Sequence, residues 1–366
     1  MAVVSAPAVE AAQSFGHVGY AFWVFVVPTA IATLIEAPIA VLSDRVSRSR
    51  ILRVALAVLA AALLLCAAAD RAWLLSLGLT LAGAASGVAC AAAQADLIVA
   101  HRGRPELAMT RWALFASAGD VLAPLLVAGV LALGGTYRAA FVVIAALVAT
   151  HAASAARRDV GRASSELAPP EPQERPHSLR ATLAAPRLWL LLFGAAVCTL
   201  LDEIVVALAA LRLSRDLGAS DLFAAGALTA YCVGSLAGAA ATDVLVRSRS
   251  PRGLLVASAC AAALSLTLVV AAQAPLHVLV ALFALGACAA PHYSLLQAAA
   301  YAALPDRPGV VNAVAELFVV LEIALPLAVA AIAERHGLTA ALGALSLQPF
   351  VVLVLALALV GNRGRR

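Results

Sequence analysis

Eleven long apolar stretches run along this chain, at about residues 19–42, 51–69, 72–99, 108–133, 138–155, 187–211, 219–246, 253–272, 276–302, 309–333 and 338–361, separated by polar breaks. A bilayer core about 30 Å thick is crossed by about 20 apolar residues in helical form. Soluble all-helical proteins do not supply so many uncharged runs of that length. The pattern predicts an all-α membrane protein with 11 transmembrane helices. One segment interrupts it. Residues 157–186 are polar and carry five prolines, Pro169, Pro170, Pro172, Pro176 and Pro186, so they cannot bury enough apolar surface to fold alone. They read as a linker between an N-terminal bundle of five spans (19–156) and a C-terminal bundle of six (187–361), flanked by a segment 1–18 and a tail 362–366.

Composition agrees: 64% of residues are hydrophobic and 12% charged, against about 45–50% and about 25% in globular chains. Mean hydropathy is +0.99 and the pI is about 9.1. In a soluble protein that pI would suggest a nucleic-acid partner. Here every one of the 25 basic residues is Arg, and their placement accounts for the charge. With the C-terminus inside and the spans alternating, 20 arginines lie in or beside inner loops; only Arg71, Arg138, Arg212, Arg215 and Arg335 lie outside. That asymmetry is the positive-inside rule. It predicts an inner-membrane protein with a periplasmic start, a cytoplasmic linker and a cytoplasmic C-terminus, and it implies no nucleic acid. The six cysteines fall one per span, without a CxxC pair or a Cys/His cluster at metal spacing, so no disulfide framework, metal or cofactor is expected.

The loops repeat. APIAVLSDRVSRSRIL contains Asp44 followed by Arg45, Arg48 and Arg50; GAAATDVLVRSRSPRGLL contains Asp243 followed by Arg247, Arg249 and Arg252. An offset of 199 superimposes Asp44 on Asp243, Arg48 on Arg247 and Arg50 on Arg249. Deeper in the spans, GDVLAPLLVAG (119–129) and LEIALPLAVAA (321–331) align at an offset of 202, matching Asp120 to Glu322 and Pro124 to Pro326. Acid-then-arginine punctuation between two apolar helices, once per half, resembles the major facilitator superfamily (MFS) of secondary transporters. The resemblance implies two helical bundles with a solute site near the midplane. In that family the acid–arginine loop follows the second span, whereas here it follows the first. An MFS-type two-bundle transporter fold lacking its first helix is therefore expected, through a misassigned start or a truncated gene, with a true eleven-span protein as the alternative.

The same resemblance assigns a cytoplasmic gate to Asp44, Arg45, Arg48, Asp96, Asp243 and Arg247. Each loop acid would cap a helix of the opposite half, starting near Gly309 for Asp44 and near Ala108 for Asp243, with a gain of about 0.3–1 kcal/mol from the helix dipole. Asp96 would pair with Arg45 or Arg48. Such contacts act as a latch; a simple loop staple is the competing reading. Glu36, Asp120, Asp202, Glu203, Glu316 and Glu322 lie inside apolar spans, where a charge costs at least about 2.5 kcal/mol unless it faces a cavity or is neutral. They are the candidates for a proton and substrate pathway, and Asp120 and Glu322 stand out because the repeat equates them. Arg111 opens its span and reads as snorkelling to the cytoplasm. His151, His277 and His292 read as packing or interfacial residues.

Gly119, Ala123-Pro124 and Gly129 partly match the Gly-Pro pattern of antiporters in this family, while the fourth-span Arg of proton-driven drug exporters is missing. The expected function is a permease exporting a small organic solute against inward protons by alternating access, as a monomer in the lipid bilayer. An importer of the same family and a truncated, non-transporting homologue are the alternatives. A membrane enzyme finds no support, because no metal spacing, nucleophile elbow or phosphate loop is present.

Overall fold

Proline opens many of the helices. Pro105, Pro186, Pro251, Pro275 and Pro308 each sit at a helix start, where the missing N–H costs no hydrogen bond and the fixed φ is already helical. The computed structural model describes residues 20–43, 46–101, 103–163, 186–305 and 307–359. In chain order these form α1 (Tyr20–Leu42), α2 (Arg48–Ala68), α3 (Ala72–Ala100), α4 (Pro105–Ala132), α5 (Tyr137–Ala163), α6 (Pro186–Val197), a π-helical turn (Leu200–Ile204), α7 (Val205–Arg215), α8 (Asp221–Leu245), α9 (Pro251–Ala271), α10 (Pro275–Ala303), α11 (Pro308–Glu316), α12 (Val319–His336), α13 (Leu338–Ala344) and α14 (Leu347–Ala358). The described residues contain no strand.

Among the described residues, ten helical stretches are long and apolar enough to cross a membrane, three of them made of consecutive pieces: Pro186–Arg215, Pro308–His336 and Leu338–Ala358. The apolar α1, 23 residues long, precedes them. The segment 1–18, the linker from 164 to 185, the tail from 360, and Asp44 and Arg45 lie outside the described residues.

The chain divides into two compact units. The first comprises Met1–Asp96, Leu122–Ala184 and Asp306–Glu316; the second comprises Leu97–Val121, Ala185–Pro305 and Leu317–Arg366. Each unit thus takes one piece from the other sequence half. The first contains α11, which packs on α1, and the second contains the opening turns of α4.

In the first unit α2 packs along α5, around Leu63, Cys66, Leu75, Phe141 and Ala145. Gly78 leaves room for the Cys66 sulfur, which would lie 2.6 Å from a Cβ placed there. In the second unit α8 and α10 approach backbone to backbone. Gly234 and Gly238 are spaced as GxxxG, and a Cβ on either would overlap the carbonyl oxygen of Phe283 or Ala287; one on Gly286 would overlap that of Tyr231. Lipid tails are as apolar as leucine, so helices in a bilayer gain from this close contact rather than from hydrophobic exclusion.

Two arginines, Arg138 on α5 and Arg212 on α7, act as helix caps. Arg138 donates from Nη2 to the carbonyl oxygen of Ala69 (2.8 Å), the residue just past α2. Arg212, 4% exposed, donates to the carbonyl oxygens of Val269 and of Ala272 (2.8 Å), the residue just past α9. The last carbonyls of a helix have no intrahelical donor, and a cation there also meets the negative end of the dipole.

Candidate functional site

Polar side chains in the spans of the second unit converge on the π turn. A π turn inserts one extra residue into the helix and leaves backbone groups without their regular partners. One is the Leu201 N–H, which donates to Oε1 of the fully buried Gln348 on α14 (2.8 Å); Gln348 Nε2 lies 3.3 Å from Nδ1 of buried His292 on α10. The turn is therefore pinned from outside its own helix, and it carries Asp202 and Glu203. The Tyr231 hydroxyl on α8 donates to Asp202 Oδ1 at 3.2 Å. One turn further along α8, Ser235 Oγ lies 3.3 Å from Ser117 Oγ on α4. Asp120 follows Ser117 by three residues, hence on the same face of α4. The close α8–α10 contact at Gly286 fixes the height of Tyr231, and with it the reach of its hydroxyl.

The six acids predicted inside spans are distributed between the units. Asp120, Asp202, Glu203 and Glu322 belong to the second, Glu36 and Glu316 to the first. Asp120, Asp202, Glu203 and Glu322 keep exposed faces, while Glu36 and Glu316 are half-buried. The Glu36 carboxyl lies directly against Gly87 on α3, in a notch that any side chain at 87 would fill. Glu316 ends α11 at a break in its span, and Phe318 just beyond it meets Trp189 and Phe193 edge-on, with ring centroids 5.9 and 6.4 Å apart.

A second cluster occupies the arginine-rich end of α8. Asp243 is buried. Its Oδ2 accepts from Arg247 at 2.7 Å, and its Oδ1 lies 3.5 Å from the Thr110 hydroxyl and 3.7 Å from Arg111 Nε, both on α4. Thr110 has a repeat counterpart at the offset of 202 in Asn312. Asn312, buried on α11 in the first unit, donates to the carbonyl oxygen of Ala91 on α3 at 3.1 Å. Of the remaining gate candidates, Arg48 opens α2 and Asp96 lies near the end of α3, both in the first unit; Asp44 and Arg45 lie outside the described residues. Among the described residues no group of His, Cys, Asp and Glu is arranged to hold a metal ion.

Tyr231, Gln348, Ser117, Ser235, Asn312 and Thr110 escaped the sequence reading. The one signal available was each residue's polarity inside an apolar run, which does not say what it faces.

The sequence profile described as the Major Facilitator Superfamily matches residues 1–325. The chain belongs to the major facilitator superfamily. Its fold is similar to that of the E. coli fucose:proton symporter FucP, with a TM-score of 0.77 at 17% identity over 98% of this chain and 96% of that one. A second FucP structure, in the outward conformation, gives 0.74 at 18% identity over 93% and 90%. The human organic anion transporter MFSD10 (TETRAN) gives 0.68 at 16% identity over 96% and 89%. No curated protein matches the chain in sequence. Family and fold make the chain a multi-pass membrane protein and a secondary transporter of small molecules rather than an enzyme.

Proposed function

We propose that this MFS protein exports a small organic solute across the inner membrane in exchange for protons, by alternating access between two bundles, 19–156 and 187–361, tethered by the cytoplasmic linker 157–186. The observation that carries the reading is the polar cluster at the π turn, where Asp202 is paired with Tyr231 beside Glu203 and near the Ser117–Ser235 contact. A carboxyl inside a span is costly unless it serves an ion or solute path. Irregular backbone at membrane depth is tolerated where it lines a cavity or is buried in protein, and in transporters such breaks mark the binding region. Glu36, Asp120, Glu316 and Glu322 extend the pathway. Asp243 with Arg247, Thr110 and Arg111 forms one cytoplasmic latch, and Asp44, Arg45, Arg48 and Asp96 supply its counterpart. The arginine asymmetry favours a cytoplasmic C-terminus, and the protein works as a monomer.

The test uses proteoliposomes holding a pH-sensitive dye, exposed to a panel of small organic cations, anions and neutral polyols. At least one solute should drive proton movement opposite to its own, and Asp202→Asn should abolish that coupling. Proton movement in the same direction as the solute would make the protein an importer-type symporter. Silence across the panel, with folded protein confirmed, would favour a non-transporting homologue.

A further inference from the structure

His101 stands in the turn between α3 and α4, half-buried, and belongs to neither the latch nor the intramembrane cluster as described so far. Its Nδ1 lies 3.0 Å from the carbonyl oxygen of Leu97, and its Nε2 lies 2.8 Å from Arg111 Nη1. A carbonyl can only accept and a guanidinium can only donate. The two partners therefore fix the ring as the neutral tautomer, with the proton on Nδ1 and a lone pair on Nε2. The same guanidinium presents Nε to Asp243 Oδ1 at 3.7 Å. One planar group thus spans two partners, an imidazole on one edge and the latch carboxylate on the other.

We propose that His101 is a positioning residue for the latch: its Nε2 lone pair holds the Arg111 guanidinium turned toward Asp243. This rests on reading Asp243 as the latch. Arg111 has a long, rotamer-rich side chain that is 38% exposed. Without an acceptor on its far edge it gains more by extending into water, as arginines at helix ends do. The network that His101 joins contains Arg111 from α4 and Asp243 and Arg247 from the end of α8.

The experiment reads the latch without any solute. Ala108, fully buried two residues before Thr110, is replaced by Cys in a chain whose six native cysteines are removed, and its labelling by a maleimide is timed in detergent. In this background H101A should speed labelling about threefold to tenfold, the shift expected for losing one hydrogen bond. H101Q keeps an acceptor in place of Nε2 and should restore the parent rate. H101K, which can only donate, should label as fast as H101A or faster. None of these substitutions should add anything in an R111Q background. Equal rates for H101A and H101Q, or an effect that persists in R111Q, would overturn the proposal. If H101A does not accumulate, the contrast between H101Q and H101K decides the same question. Acceleration by D243N but not by H101A rejects the role of His101 alone; no acceleration by D243N rejects the latch reading, and the role of His101 with it.

Discussion

Replacing Asp243 by Asn removes one negative charge and almost nothing else. The amide keeps the size of the carboxylate and an oxygen that still accepts from Thr110. What is lost is the charge term to Arg247 at 2.7 Å and to Arg111 at 3.7 Å. The arginines are 53% and 38% exposed against 11% for Asp243, so solvent screens both pairs, and each contributes on the order of 0.2–1 kcal/mol. Together they amount to about 0.4–2 kcal/mol, or about twofold to thirtyfold in the balance between engaged and released states. A latch concentrates that change in one state of the cycle. Turnover per folded molecule in proteoliposomes should therefore change by about that factor, while the melting temperature in detergent moves by a few degrees at most. A double-mutant cycle with Arg111→Gln should recover less than the sum of the two single effects, because the residues share one contact. A variant that melts far below the parent, with unchanged turnover per folded molecule, would refute the latch and leave Asp243 as a loop staple.

Asp120→Asn and Glu322→Gln, each one turn before an intramembrane proline, should uncouple solute movement from the pH gradient while leaving folding intact. Full proton-driven transport in both variants, measured in vesicles, would leave Asp202 and Glu203 as the carriers. Gly238→Val should lower the yield of folded protein on size-exclusion chromatography. Its side chain meets the backbone of Ala287 rather than a movable group, at a cost of about 1–3 kcal/mol or more; a normal profile would show that α8 and α10 have room to separate. Arg212→Met keeps the aliphatic bulk but strips the donors from Val269 and Ala272, which should cost about 2–6 kcal/mol at about 1–3 kcal/mol per unsatisfied buried group; unchanged thermal stability would mean that water takes over the cap. Reporter fusions at residues 160 and 366 should read cytoplasmic and a fusion at 216 periplasmic; a reversal at any of them removes the topology on which the export reading stands.

The order and approximate extent of the apolar spans follow from the sequence alone, because crossing a bilayer is a local demand: about 20 apolar residues in a row suffice wherever they occur; the breaks inside three of those spans do not. The family was legible for a similar reason. The acid–arginine loops at Asp44 and Asp243 and the acid–proline pairs at Asp120 and Glu322 are short-range patterns repeated at a fixed offset. What faces what was not legible. A soluble helix announces its buried side by an apolar stripe, but these helices are apolar all round, so the stripe that would orient them is absent. Tyr231 therefore read as one polar residue in a greasy run until α8 was set against the π turn, and Gln348 had no visible purpose until the Leu201 N–H needed an acceptor. Arg138 and Arg212 counted as outer-loop charges, yet each closes the end of a helix that lies far away in sequence. His101 and Arg111 are ten residues apart, and only the turn between α3 and α4 brings lone pair and guanidinium together. Chain chemistry decided which segments enter the membrane; the packing of one uniformly apolar helix on another decided which few polar groups meet there.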